Sequence, residues 1–225
     1  CALAVVPRPS QAYAAESDKD NNIVYESVEK EIIVSRQKVC SITETITVEY
    51  RNPGINLGLR RNVSRWNKIT RIVDGKKYVR KTRSALTLQS VLMDGQPEYN
   101  FLEVTDNYYY INTGADGDYK AGRHVYEFTY EYDLGEDFIG KFDDFTFDIM
   151  DYGFRGAVGR FAATITMPDP SDVDALSFRT NGMTPLSHDD VALAVEGNTL
   201  RWRYEALDSE HGLTVQLILP DGYFD

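Results

Sequence analysis

The sequence predicts an all-β protein: a single antiparallel β-sandwich, immunoglobulin-like or jelly-roll-like, with about ten strands, tight hairpins and little helix. Tyrosine is abundant, at 15 of 225 residues, and aromatic side chains suit the half-buried surface of a pleated sheet. Apolar and polar residues alternate with period two along most of the chain, as strands with one buried face require. Glycine-containing turn dipeptides separate these runs at short intervals, which is typical of sandwiches and barrels.

The chain is predicted to begin with a segment that precedes the folded domain. Residues 1–14, CALAVVPRPSQAYA, start apolar and end in Ala-Tyr-Ala, the small-x-small pattern of signal peptidase sites. We interpret them as a signal-peptide remnant, followed by a polar leader over residues 15–22 and one β-sandwich domain over residues 23–225. A rival interpretation makes Cys1 the lipidated first residue of a lipoprotein. Both predict an exported protein on the extracytoplasmic side of the cell membrane.

The first strongly alternating segment is CSITETITVEY, a predicted strand with one apolar face. Five residues form that face: Cys40, Ile42, Ile46, Val48 and Tyr50. Glu44 lies on the same face, and a buried carboxylate needs a partner. The position of Cys40 predicts a buried thiol and not a nucleophile, because apolar surroundings disfavour the thiolate.

Later segments continue the strand pattern. Three dipeptides predict tight hairpins, because glycine supplies the positive φ that two-residue loops require: Asp74-Gly75, Asp94-Gly95 and Gly197-Asn198. Further predicted strands are YYYIN, HVYEFTYEY, RFAATITMP and GLTVQLILP. Residues 171–176, after Pro170, are expected to form at most a single helical turn.

Charge is distributed unevenly along the chain. The formal net charge of −11 argues against nucleic-acid binding, because phosphate backbones are held by basic surfaces. Residues 51–83 nevertheless contain eleven Lys or Arg and a single acid, Asp74, whereas residues 102–151 contain thirteen acids and three bases.

The basic segment predicts a hairpin that projects cations. Its candidate anion-binding residues are Arg60, Arg65, Lys68, Arg71, Lys76, Lys77, Arg80, Lys81 and Arg83. Such a patch suits an anionic envelope polymer or lipid headgroups. The alternative, which we prefer on the sequence alone, is that it neutralises the acidic stretch through cross-strand pairs.

The acidic segment DLGEDFIGKFDDFTFDIMD has three interpretations. Its carboxylates of interest are Asp137, Asp143, Asp144 and Asp148. They could form the acid and base of a hydrolase, an oxygen-ligand Ca²⁺ site, or a solvated or charge-paired face. The interleaved phenylalanines favour the last, because they supply buried anchors for a strand. No metal site or cofactor is predicted, since the three histidines, His124, His188 and His211, lie far apart and match no metal-ligand spacing.

Several short motifs resemble DUF2207, a bacterial family of predicted membrane proteins of unknown function. ITETITVEY resembles the family's strand motif V-x-E-x-I-x-Y, with Glu44 as its glutamate. GINLGLRRNVSRW resembles its G-I-x-R-x-I-P segment, with Ser64 where proline is usual; the matching residues are Gly58, Leu59, Arg61 and Val63. HVYEFTYEYDLGEDFIGKFDDFTFDIMDYGF, ATITMPDP and ALDSEHGLTVQLILPDGYFD resemble later strands of the family, so the similarity extends from about Ile23 to the end of the chain.

The resemblance implies an extracytoplasmic β domain tethered by membrane helices that follow it, and it implies no catalytic residues. It also singles out Glu44 and Arg61 as the charged positions of the matched motifs, which implies a buried or half-buried ion pair, and we expect the Glu44 carboxylate to lie within hydrogen-bonding reach of Arg61 or Arg60. The expected function is a non-enzymatic module that binds an envelope protein or an anionic polymer. The alternatives are a secreted carbohydrate-active or hydrolytic enzyme that uses the paired carboxylates, and a structural spacer.

Overall fold

A computed structural model describes most of the chain. The described residues are 22–52, 58–73, 75–115, 118–135, 142–150, 157–170, 176–180, 184–186, 192–207 and 212–224. The predicted signal-peptide remnant, nearly all of the polar leader, most of the predicted helical turn and Asp137 lie outside them. The described residues form strands and no helix, which confirms the all-β prediction. This part of the chain therefore has no helix that could cross a membrane.

Seventeen strands are present in the described residues. In chain order they are β1 (Ile23–Val34), β2 (Val39–Tyr50), β3 (Arg60–Ser64), β4 (Trp66–Val73), β5 (Lys76–Arg83), β6 (Ala85–Met93), β7 (Gln96–Pro97), β8 (Asn100–Val104), β9 (Tyr108–Thr113), β10 (Gly122–Asp133), β11 (Asp143–Met150), β12 (Val158–Thr166), β13 (Leu176–Thr180), β14 (Thr184–Leu186), β15 (Ala192–Glu196), β16 (Thr199–Leu207) and β17 (Leu213–Leu219). All three predicted hairpins occur. Their turns carry the expected positive φ, at Gly75 (74°), at Asp94 and Gly95 (52° and 76°), and at Gly197 (62°).

The strands form four sheets, whereas the sequence predicted one antiparallel sandwich of about ten strands. The largest sheet has the order β15-β16-β12-β1-β2-β10-β6-β7. The others are β11-β17-β13-β14, β3-β9-β8 and the isolated hairpin β4-β5. In the large sheet β1 and β12 pair in parallel, although the prediction was antiparallel throughout. Period-two patterning identifies a strand and its buried face but not its partner, so it leaves sheet number and strand direction open.

The large sheet buries one face, and a row of aligned residues crosses it at mid-height. From β16 to β6 the row consists of Trp202, Ala163, Lys30, Glu44, Phe128 and Val91. All six are buried. Two charged residues therefore lie side by side at the centre of an otherwise apolar row.

Strands from two smaller sheets cover this face. From β11, the Phe147 ring packs edge-on against Tyr132 of β10, with ring centroids 5.9 Å apart. From β3, the Ser64 carbonyl accepts a hydrogen bond of 2.9 Å from the Tyr132 hydroxyl. One hydrophobic core unites residues of the large sheet with residues of these two smaller sheets. This packing fixes the position from which β4 begins, immediately after β3.

Candidate functional site

The β4–β5 hairpin has two chemically different faces. Directly opposed residues of an antiparallel pair point to the same side, and successive pairs alternate between sides. One side is formed by four opposed pairs: Trp66 with Arg83, Lys68 with Lys81, Thr70 with Val79, and Ile72 with Lys77. The six residues of this side other than Trp66 and Thr70 are exposed, and those two are half-buried. We call these eight residues the outer face of the hairpin.

The outer face carries four cations for which the described residues provide no ion-pair partner. Among the described residues, no carboxylate oxygen lies within 4.0 Å of a side-chain nitrogen of Lys68, Lys77, Lys81 or Arg83. Lys81 instead places its ammonium 3.9 Å from the centroid of the Trp66 ring. Asp74, the single acid of the basic segment, lies outside the described residues.

Two of these cations oppose each other directly. Lys68 and Lys81 are cross-strand partners in the β4–β5 ladder. Like charges in that arrangement destabilise an antiparallel pair, because the side chains are held about 5 Å apart at Cβ. An anion bound between the two ammonium groups would remove this repulsion. The hairpin therefore has the electrostatic character of an anion site.

The opposite face holds the hairpin on the protein. Asn67 and Ile69 are buried there. The Tyr78 ring packs edge-on against Phe142, with ring centroids 6.0 Å apart. Arg80 is half-buried on this side and already has an interaction partner. Lys76 also belongs to this side but is exposed, 5.4 Å from the Tyr78 ring centroid.

Two predicted patch residues have structural roles elsewhere. Arg60 pairs with Glu103 at 3.1 Å and lies 3.9 Å from the centroid of the Tyr110 ring. Arg65 is buried and donates a hydrogen bond to the Thr105 carbonyl. Both residues contact the β3-β9-β8 region and not the outer face. The anion-binding patch therefore has fewer residues than the sequence predicted. For Arg71 the structure gives the strand position and no side-chain description.

The acidic segment does not pair with the hairpin strand to strand. β11 forms its ladder with β17, whereas β4 and β5 pair only with each other in the described chain. The preferred sequence interpretation, neutralisation of the acidic stretch through cross-strand pairs, therefore does not apply to β11 and the hairpin, although Arg60 of the basic segment pairs with Glu103 of the acidic stretch. The described acids hold local hydrogen bonds. Asp143 accepts from the Phe224 N–H at 2.7 Å, Asp144 accepts from the Thr146 hydroxyl at 2.6 Å, and Asp148 accepts from the Thr214 hydroxyl at 2.6 Å.

The described residues include no group of three or more His, Cys, Asp or Glu side chains placed to hold a metal ion. His124 pairs with Asp94 at 2.7 Å, and His188 and His211 lie outside the described residues. A hydrogen bond from the Val125 N–H, with help from His124, holds the pKa of Asp94 below its ordinary value. Burial raises the pKa of the Cys40 thiol far above its ordinary value, so Cys40 is a core residue and not a nucleophile.

A charged cluster lies beneath β3. The Nε of Arg61 donates to Oε2 of Glu44 at 2.6 Å, and the Nζ of Lys30 lies 3.2 Å from Oε1 of the same carboxylate. Glu44 is fully buried, and the side chains of Lys30 and Arg61 are almost fully buried. Arg61 also donates to the Asn62 carbonyl at 2.6 Å. The structure thus brings together the two residues expected to pair and adds a third.

Sequence reasoning missed Lys30, although a signal for it exists. In the strand IVYESVEKEIIV, Lys30 lies two residues from both Val28 and Ile32, on the buried face of β1. An inward lysine requires a buried partner, as an inward glutamate does. The two unsatisfied side chains could have been matched to each other before the structure was known.

A small cavity reaches Lys30 from the side of the hairpin. Its volume is about 30 Å³, and its lining includes Trp66, Tyr130 and Asp148 besides Lys30. This volume holds about two water molecules. The cavity is therefore too small for an organic substrate, and the outer face of the hairpin remains the stronger candidate site.

Comparison with known proteins adds little. No family model and no curated protein matches the sequence. Similar solved structures include yeast LTA4 hydrolase in complex with bestatin (TM-score 0.47, 11% identity, 92% of this chain and 31% of that chain). A putative protease from Parabacteroides distasonis has a TM-score of 0.47 and 8% identity over 87% of this chain and 40% of that chain. An M1 zinc metallopeptidase from Deinococcus radiodurans has a TM-score of 0.40 and 10% identity over 86% of this chain and 42% of that chain.

This chain therefore spans less than half the length of these proteins. At such identities and TM-scores the likenesses carry no argument about function.

Proposed function

We propose that this chain is a non-enzymatic binding module on the extracytoplasmic side of a membrane, and that it holds an anionic component of the cell envelope through the outer face of the β4–β5 hairpin. The observation that carries the proposal is the set of four cations on that face with no carboxylate within 4.0 Å in the described residues. The Ala-Tyr-Ala ending of residues 1–14 and the resemblance to DUF2207 support the location.

The negative charge of the rest of the chain favours binding of an anionic ligand through the outer face alone. The formal net charge is −11, so an anionic polymer or surface is repelled by the molecule as a whole. At an ionic strength of about 0.1 M this repulsion is screened beyond roughly 10 Å, and the local cations dominate at contact. Binding through the outer face is thus oriented, since the chain as a whole is repelled by an anionic ligand and the outer face attracts it. The large sheet, covered on one face by smaller sheets, supports a sandwich-type scaffold for the hairpin.

The test is retention on immobilised dextran sulfate, an anionic polysaccharide, as a function of salt. We expect wild-type protein to bind, and the variant K68Q/K77Q/K81Q/R83Q to bind at least tenfold more weakly, because each cation near an anionic surface contributes about 1 kcal/mol. The salt dependence of binding should also become shallower, because fewer counterions are released.

A matched control removes the same number of positive charges elsewhere. Arg36, Arg123, Arg160 and Arg201 all pair with carboxylates outside the hairpin. The variant R36Q/R123Q/R160Q/R201Q shares the net charge of the hairpin variant, −11 minus four, or −15. It should retain binding far better than the hairpin variant. Equal losses in the two variants would mean that total charge, and not the outer face, determines binding.

A further inference from the structure

We propose that the anionic component is the surface of a lipid bilayer, and that the hairpin docks there with Ile72 and Val79 inserted at the boundary between headgroups and acyl chains. This inference rests on the proposed function and specifies its ligand. Two apolar residues of the outer face are exposed to solvent: Ile72 is 72% exposed and Val79 is 60% exposed. No other large apolar residue of the described chain is more exposed than Ile72.

The apolar and cationic side chains share one side of the hairpin. Ile72 is paired directly with Lys77, and Val79 lies one pair further from the turn, opposite Thr70. Lys68 and Lys81 form the next pair. Apolar residues therefore lie near the turn and cations flank them. This order suits a bilayer surface, where apolar groups go deepest and ammonium groups remain with the phosphates.

Trp66 and Arg83 form the last pair of the outer face, at the end far from the turn. With a rise of about 3.4 Å per residue, Trp66 is roughly 20 Å from Ile72 along the strand. The indole Nε1 donates to the Asp106 carbonyl at 2.8 Å, which holds the ring in place. An indole ring beside lysines is typical of the interfacial region of membranes. The whole outer face thus has a composition that suits the headgroup layer.

The apolar residues distinguish a bilayer from a soluble anionic polymer. A polysaccharide or polyphosphate chain can neutralise Lys68, Lys77, Lys81 and Arg83, but it leaves Ile72 and Val79 in contact with water. A bilayer supplies phosphate groups for the cations and an apolar layer for the two side chains. Because an anionic bilayer repels a protein with a net charge of −11, approach through the cationic outer face is favoured.

The experiment is flotation with vesicles of phosphatidylcholine containing one third phosphatidylglycerol, and with vesicles of phosphatidylcholine alone. We expect wild-type protein to float with the anionic vesicles and to stay behind with the neutral ones. The variant I72S/V79S should bind anionic vesicles about tenfold more weakly, since two buried apolar side chains are lost. Its retention on dextran sulfate should not change.

The matched control is I33S/V195S. It replaces an isoleucine and a valine that are 61% and 36% exposed on β1 and β15, neither of which pairs with the hairpin. This variant should bind vesicles as wild type does. Equal vesicle binding by I72S/V79S and wild type would overturn insertion.

Wild-type protein that binds dextran sulfate but not anionic vesicles would overturn the bilayer proposal and leave the proposed function standing. Protein that binds neither would overturn both.

Tryptophan fluorescence gives an independent readout. The sequence has two tryptophans, and Trp202 is buried in the core, so changes on adding vesicles report on Trp66. We expect a blue shift with anionic vesicles and none with dextran sulfate, because only the bilayer transfers the indole to a less polar layer. The same shift with both ligands would contradict insertion.

Discussion

At the scale of the residue, the cluster of Lys30, Glu44 and Arg61 shows best how a sequence determines its contacts. Glu44 breaks an apolar alternation, and this break alone predicts a buried partner. Arg61 could be named only with the help of the resemblance, because no local pattern in RRNVS distinguishes it from Arg60. Lys30 could have been found from alternation in β1. Which cation meets the carboxylate depends on the packing of β3 over β2, and a sequence pattern does not contain that packing.

We predict that Glu44→Gln strongly destabilises the protein. The substitution leaves Lys30 and Arg61 buried without the carboxylate that both contact. Breaking a buried pair in this way costs about 3–5 kcal/mol. Chemical denaturation measures the free energy of unfolding. The control is Glu31→Gln on the exposed side of the neighbouring strand β1, which should change it by less than about 0.5 kcal/mol. Similar small effects of both variants would show that the cluster is not a buried ionic contact.

Buried tyrosines predict a loss of stability at alkaline pH. Burial raises the pKa of Tyr126 and of Tyr50 above the ordinary value of 10.0, and their hydroxyls are 3.1 Å apart. The folded state therefore binds these protons more tightly than the unfolded state. This contribution is fully present below pH 10 and is lost as the pH rises through the raised values.

Denaturation as a function of pH should show a free energy of unfolding that begins to fall near pH 10. Tyr126→Phe should reduce the slope of that fall, because one ionisable hydroxyl is removed. The exposed Tyr119, mutated to Phe, is the control and should leave the slope as in wild type. An unchanged slope in Tyr126→Phe would contradict the assignment.

At the scale of the element, the sequence predicted the hairpin turns correctly but could not predict which strands pair to form each sheet. Asp74-Gly75 marks the β4–β5 hairpin because two-residue loops need positive φ, and this requirement is local. The sequence could not show that the hairpin forms a separate two-stranded sheet, since that depends on residues distant along the chain. The same limit explains the acidic segment. Its charge matches that of the hairpin, but β11 pairs with β17, and total charge does not specify a neighbour.

The direct opposition of Lys68 and Lys81 predicts a stabilising substitution. Lys68→Glu converts a like-charge cross-strand pair into an opposite-charge pair. We expect the free energy of unfolding to rise by about 0.2–1 kcal/mol, while binding to dextran sulfate weakens. Lys76→Glu, on the opposite side of the same hairpin, is the control and should give no such gain. A loss of stability in Lys68→Glu would show that the two lysines do not repel each other in the folded protein.

At the scale of the whole molecule, one packed body carries the cationic hairpin. One core joins the large sheet to the β11-β17-β13-β14 and β3-β9-β8 sheets, and the hairpin is held on this body by one face. The composition predicted an acidic all-β protein with a basic segment. Two cations of the basic segment, Arg60 and Arg65, contact the β3-β9-β8 region, whereas the four cations of the outer face point to solvent. The alternation of apolar and polar residues could not reveal this difference. That division depends on which face of each strand meets the core.

Lysine footprinting shows directly whether an anionic ligand binds the outer face, because the hairpin contains its own control. Lys68, Lys77 and Lys81 lie on the outer face, whereas Lys76 is exposed on the other side. The protein is acetylated with a water-soluble ester, alone and with dextran sulfate, and modification is quantified at each lysine by mass spectrometry. We expect protection of the three outer-face lysines and unchanged modification of Lys76. Equal protection of all four, or protection of none, would contradict it.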